Sequence, residues 1–381
     1  MPVVDPVDRD AGILSLSFNQ DRSCIAIATL HGVRIFSIDM HKTLYTDNIG
    51  AVSIAEMLFC TNLLAFVGAG EQPALTPRKL AVLNTNGKKL IKDMSFPSAV
   101  LAVKMNRKRL VVILERKAIV YELENLVKLK TLDTPPNPKG VCALSVGDGP
   151  CYLALPSSGT TGVVRVYDLL VDGGNVLCEI AAHKSPVTVI VMNEDSTMVA
   201  TASQKGTLIN VHSLPDAQSI FTLRRGSTPA TIHSLAFSPM SIEPTFLAAS
   251  GSHGTVHVFR LTDAGRTSVG AAASAAAGLL SAVTRYPLTN WVDPMRSCVA
   301  VSLPNMQVPS ICTILPVDVP LVDGEQHPDA RHMSNSDQVT LVVATLDGLL
   351  YEYSLTGLRG DSAKAIRTGE WRLLGSRHTR V

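Results

Sequence analysis

Two adjacent arginines followed by a glycine, Arg224-Arg225-Gly226, are the side chains in this sequence best suited to hold an anion. A guanidinium is a planar fork of N–H donors that can fix a phosphate through two parallel hydrogen bonds, which an ammonium cannot do. The pair closes the run SIFTLRRG, whose opening residues, Ser219 to Leu223, read as an outer strand. Side chains in a strand alternate between faces, so extended geometry at this end sends the two arginines into separate grooves. Gly226 frees the backbone to turn sharply or to come close to a ligand. An Arg-Arg pair alone is a weak signal, because most are basic turns on a solvated surface.

The neighbourhood adds to the signal. His183 and Ser185 in AHKSPV, with Thr201, Ser203, Lys205 and Thr207 in TASQKGT, read as part of the same repeat unit as the arginines. Thr231 and Ser234, then Ser250, Ser252, His253, Thr255 and His257 in SGSHGTVH, occupy matching points in the next unit. Small hydroxyls and histidines are thus duplicated on either side of the arginine pair.

The elements that must position these groups repeat along the chain. A short apolar strand, one or two small residues, a glycine turn and an alternating strand recur in CIAIATLHGVRIFSI, YLALPSSGTTGVVRVYDL, MVATASQKGTLINVHSL, FLAASGSHGTVHVFRL and VVATLDGLLYEYSL. LLAFVGAG…RKLAVLNT and RLVVILERKAIVYEL keep the strand pair without a clean turn glycine. The spacing is roughly 45 residues where nothing intervenes, the period of propeller blades. The expectation is an all-β chain, a single seven-bladed β-propeller of four-stranded antiparallel blades over residues 1–381. No Trp-Asp dipeptide closes a unit, and the first and last units supply their own strands, so the ring should close without strand exchange.

Composition agrees with buried strands: 46% of residues are hydrophobic and only 17% charged. A net charge of +2 excludes a general polyanion binder, so no nucleic-acid role is expected and any anion site must be local. Seven scattered cysteines without a C-x-x-C suit thiols in a reducing compartment, and no signal segment is recognisable, so the chain reads as cytosolic. No phosphate-binding loop, H-E-x-x-H, G-x-S-x-G or zinc spacing is present, so no enzyme, cofactor or metal is expected.

Two stretches interrupt the repeat. Residues 321–338 are polar and read as a solvated loop. Residues 262–290 form an insertion within the sixth unit, with an Ala-rich centre of strong helix propensity. On a helix, Leu279, Leu280 and Val283 fall on one side with Ala272 and Ala276, opposite Ser274, Gly278, Ser281 and Arg285. Such a face could bury itself in a membrane surface. Lys104, Arg107, Lys108, Arg109, Arg116 and Lys117 form a further basic cluster, read first as a solvated face and second as a docking surface.

The segment TLRRGS resembles the signature of the PROPPIN family, the phosphoinositide-binding WD-repeat propellers of autophagy, with Leu223 where that family usually has Phe. VGAGEQPALTPRKL, TPPNPKGVCALS, TASQKGTLINV, TVHVFRL and GEWRLL resemble family segments too, so the likeness covers nearly the whole chain. The resemblance implies two pockets. One would hold His183, Ser185, Ser203, Lys205, Thr207 and Arg224; the other Arg225, Thr231, Ser250, Ser252, Thr255 and His257. It implies phosphatidylinositol 3-phosphate and the 3,5-bisphosphate as ligands, and Leu279, Leu280 and Val283 as membrane-inserting residues. It further implies Pro77 and Arg78 as contacts for autophagy proteins, including the lipid-transfer protein. The expected location is cytoplasmic and peripheral, on phagophore, endosomal or vacuolar/lysosomal membranes. A protein-interaction scaffold whose arginines bind an acidic peptide is the alternative.

Overall fold

Each short apolar run in the sequence becomes one strand, and the strands join into seven sheets arranged as propeller blades. The computed structural model describes residues 12–70, 75–171, 174–262, 294–317, 338–360 and 362–374. In chain order the blades cover residues 13–47, 52–95, 102–133, 143–183, 187–224, 232–302 and 310–372. Within each blade four strands pair antiparallel with their neighbours. The expected all-β, seven-bladed architecture is what the chain adopts, and helix among the described residues is limited to 3-10 turns, at Leu75 and at Asn86–Lys88.

Burial explains why the strands differ in composition. Second strands lie between neighbouring blades on both faces, and every residue of Cys24–Thr29 is buried. Fourth strands form the rim, so Lys42–Asp47 is mostly exposed and can be polar. The apolar residues gather into seven clusters, one at each blade-to-blade junction. A lone blade would leave both of its faces wet, so each is stabilised by its two neighbours.

The ring closes as expected, with blades one and seven each built from contiguous strands. Ile25, Ile27 and Phe36 of blade one pack with Val342, Leu350 and Trp371 of blade seven. Arg34 donates to the Leu374 carbonyl at 2.7 Å. His41 stacks on Trp371 with ring centroids 3.9 Å apart, and its Nε2 lies 2.8 Å from Glu352.

Two assignments made from sequence change. His183 is the last residue of blade four's outer strand, Asn175–His183, and not part of blade five, because that strand runs on through the small pair Ala181-Ala182. The basic residues of blade three do not form one face. Lys104 turns to Glu56 of blade two, and Arg107, Lys108 and Arg109 reach blade four, leaving Arg116 and Lys117 exposed on the turn between the second and third strands. The insertion and polar loop expected at 262–290 and 321–338 fall almost wholly outside the described residues; blade six's third and fourth strands, Thr255–Leu261 and Val299–Ser302, flank the former.

Candidate anion-binding site

The arginine pair ends the fourth strand of blade five, Ser219–Arg224, where β-branched and aromatic residues alternate until Leu223 enters the core. Alternation persists through the strand end: Leu223 is buried, Arg224 exposed and Arg225 buried again. The two guanidiniums therefore leave the chain on opposite faces. Leu223 packs with Ile232, Leu235 and Phe237 of blade six, which sets the side on which Arg225 emerges.

Arg225 is held in place by the fold. Its Nε donates to the Gly206 carbonyl at 3.0 Å, one terminal nitrogen donates to the Thr228 carbonyl, and the other lies 3.3 Å from His253 Nδ1. Its backbone N–H donates to Thr207 O at 3.0 Å. Burial pulls its pKa below the ordinary arginine value. Arg224 by contrast makes no side-chain hydrogen bond or ion pair among the described residues.

The turn that meets Arg225 depends on glycine. Gly206 has φ +60°, and a Cβ there would sit 1.8 Å from the Ala230 carbonyl, so the Lys205–Thr207 turn can lie against blade six's entry only without a side chain. Gly254 repeats the device in blade six at φ +65°. Lys205 and Thr207 are thereby presented on the same turn, Lys205 exposed and Thr207 half-buried.

The remaining sequence-predicted residues divide. His183 faces blade five, with Nε2 3.1 Å from Thr201 O and 3.0 Å from Thr201 Oγ1, and Nδ1 3.4 Å from Asn210 Nδ2. Burial lowers its pKa, partly offset by the Thr201 backbone contact. Ser185 is half-buried in the link to blade five, and Ser203 is buried with its carbonyl accepting from Gly206 N–H. In blade six, Thr231 and Ser252 hold each other: Ser252 N–H donates to Thr231 O at 2.9 Å, and Thr231 N–H to Ser252 Oγ at 3.1 Å. Ser250 is fully buried and donates to the Ser310 carbonyl of blade seven at 2.8 Å, away from the arginines. Thr255 Oγ1 lies 3.3 Å from His257 Nε2. Burial and then the charge of Arg225 depress the His257 pKa.

Pro77 and Arg78 lie elsewhere, at the start of blade two's third strand, where their carbonyls accept from Val100 and Phe96 N–H at 2.8 Å. Leu279, Leu280 and Val283 lie outside the described residues. Sequence reasoning missed Arg296. It lies in the two-residue strand Met295–Arg296, which pairs parallel with the outer edge of blade five and sets Arg296 opposite Arg224. Among the described residues there is no cluster of metal ligands and no helix long and apolar enough to cross a membrane.

An all-β ring of seven blades with an arginine pair parted at the edge of the fifth defines the class: a seven-bladed β-propeller with a candidate anion site. The particular family follows from comparison. The PROPPIN family profile matches residues 12–317, and the chain belongs to that family. Autophagy-related protein 18b of Arabidopsis thaliana is 37% identical over 90% of this chain and 91% of its own length. Autophagy-related protein 18 of Mycosarcoma maydis is 40% identical over 68% of this chain, a match that spans only 61% of that relative. The solved structure of Kluyveromyces lactis Hsv2 with complete loop 6CD superposes with a TM-score of 0.71 over 95% of this chain and 99% of that one, at 21% identity, which speaks for the fold.

Proposed function

We propose that the chain is a phosphoinositide-binding effector that docks on membranes and recruits autophagy machinery during autophagosome formation. The observation that carries this reading is the parting of Arg224 and Arg225 onto opposite faces of one strand end, one open and one pre-oriented. Membership of the PROPPIN family and the names of its autophagy-related relatives support it. In this reading His183, Ser185, Ser203, Lys205, Thr207 and Arg224 make up one headgroup pocket. Arg225, Thr231, Ser252, Thr255 and His257 make up the second; Ser250, expected there from the sequence, is left out because its buried hydroxyl is given to the Ser310 carbonyl of blade seven. The ligands are phosphatidylinositol 3-phosphate and the 3,5-bisphosphate. Leu279, Leu280 and Val283 insert into the bilayer, and Pro77 and Arg78 contact a protein partner such as the lipid-transfer protein. The protein then works peripherally on phagophore, endosomal or vacuolar membranes.

Each charge-assisted hydrogen bond contributes roughly 1.5–3 kcal/mol, so one pocket holds a single headgroup only moderately. Two pockets on one surface raise the overall affinity by roughly 10²–10⁴. Vesicle co-flotation tests the reading. Wild type should float with vesicles containing phosphatidylinositol 3-phosphate and not with phosphatidylinositol alone, and Arg224→Thr/Arg225→Thr should float with neither. Because Arg225 also braces the Gly206 turn, the single Arg224→Thr is the control whose melting temperature should match wild type. Equal flotation of wild type and the double variant would remove the reading.

A further inference from the structure

After the insertion, the chain returns along the site itself. Leu223 pairs with Met295 and Arg224 with Arg296 in parallel register, so a short strand is added to the outer edge of blade five. Ser297 follows, its Oγ 3.3 Å from His257 Nδ1. Cys298 N–H then donates to Val258 O at 2.9 Å, and Val299–Ser302 completes blade six. One continuous strap of chain therefore crosses from the edge of blade five to blade six beside the arginine pair.

The register has an electrostatic consequence. Neighbouring strands lie about 4.8 Å apart, and residues paired in parallel register project from the same face. Arg224 and Arg296 are both exposed, and neither has an acidic partner among the described residues. Like charges set directly opposite on paired strands repel and destabilise the pairing. A dianion between two guanidiniums turns that repulsion into two charge-assisted contacts. Two exposed arginines in register thus have the geometry to share one phosphate.

We infer that Arg224 and Arg296 jointly grip one phosphomonoester, and that the strap makes the returning limb of the insertion a wall of the first pocket. This rests on the phosphoinositide reading above and adds a third arginine to it. Filling the clamp would also firm the added strand, so headgroup binding and the position of the insertion's end are linked through one pair of residues.

Co-flotation of the full chain with phosphatidylinositol 3-phosphate vesicles tests this, using wild type, Arg296→Gln, Arg296→Lys, Arg224→Thr and the Arg224→Thr/Arg296→Gln double variant. Arg296→Gln should bind about tenfold more weakly, Arg296→Lys should recover part of the loss, and the double variant should lie within about twofold of Arg224→Thr, because groups that share one ligand do not act additively. Arg296→Gln floating like wild type, or losses that simply multiply, would overturn the shared grip while leaving the phosphoinositide reading intact. Wild type that ignores the 3-phosphate would remove both. Soluble competitors decide the source of the phosphate: inositol 1,3-bisphosphate should displace the protein well below the concentration at which inorganic phosphate does. Equal potency of the two would assign the clamp to free phosphate and overturn the headgroup assignment.

Discussion

In blade three, Arg107 lies 4.3 Å over the Phe59 ring and pairs with Asp148, Lys108 donates to the Asp148 and Gly149 carbonyls, and Arg109 donates to the Leu169 carbonyl. At the edge of blade five, Arg224 and Arg296 stand in register with no acid beside them among the described residues, and only Arg225 is tied to carbonyls. The first group stitches one blade to the next. In the second, one arginine is braced while two are left open. Basic residues thus take on two jobs in one ring, and what separates them is whether a neighbouring blade supplies an oxygen within reach. Net charge says nothing about this, since both groups are equally cationic in the sequence.

The same division runs through the histidines, and there it has the largest expected effect on stability. His212 of blade five is buried, its Nδ1 lacks a partner among the described residues, and burial, aided by His183, holds its pKa at about 4. The unfolded chain keeps an ordinary histidine near 6.5, so below that pH the unfolded state takes up the proton first. Stability is therefore complete above about pH 6.5 and falls as pH drops from there toward 4, by on the order of 3 kcal/mol for this group alone. His212→Leu should flatten that part of the curve relative to wild type in denaturant melts at pH 7.5 and 4.5. Parallel acid slopes in the two proteins would mean that His212 is not the group responsible.

A smaller effect is expected in blade three. Arg109 gives two hydrogen bonds to Leu169 O, at 3.3 and 3.2 Å, across the junction with blade four. Bonds from a charged donor contribute roughly 1.5–3 kcal/mol, so Arg109→Ala should lower the melting temperature by several degrees. Vesicle flotation at the same protein concentration should be unchanged. Arg224→Thr should do the reverse. A blade-three variant that lost flotation while keeping its melting temperature would break the contrast between the two groups.

How much of this was legible in the sequence follows from the range of each interaction. The blades were legible because a strand between two sheets must be nearly all apolar, as in Cys24–Thr29, and that leaves a repeating mark. The parting of Arg224 and Arg225 was legible because period-2 geometry is local and Leu223 fixes its phase. The limit of blade four was not, since His183 ends one strand a few residues before the next begins and AHKSPV carries no turn glycine. Ser250 looked like its neighbours Ser252 and Thr255, yet its hydroxyl goes to Ser310 sixty positions on, a contact set only by how blades six and seven meet. Arg296 was hidden for the opposite reason. A two-residue parallel pairing has no period to read, and its partner lies across an insertion.

The finest test of the contrast is His257, which touches both the braced arginine's surroundings and the strap. Its Nε2 faces Thr255 and its Nδ1 faces Ser297, while burial and then the charge of Arg225 lower its pKa below the ordinary histidine value. Protonation would add a cation to the second pocket, so binding of an anionic headgroup should favour the charged ring and lift its pKa. Affinity carried by this residue should therefore rise as pH falls through the range below 6.5. The phosphomonoester itself loses charge near pH 6, which works against the gain, so the readout must be the ratio of wild type to His257→Asn rather than either alone. That ratio should increase by about threefold between pH 7.5 and 5.5, less than half of one pKa unit's full tenfold. A ratio that stays constant over the interval would place His257 with His212, as a group engaged by the fold and not by the ligand.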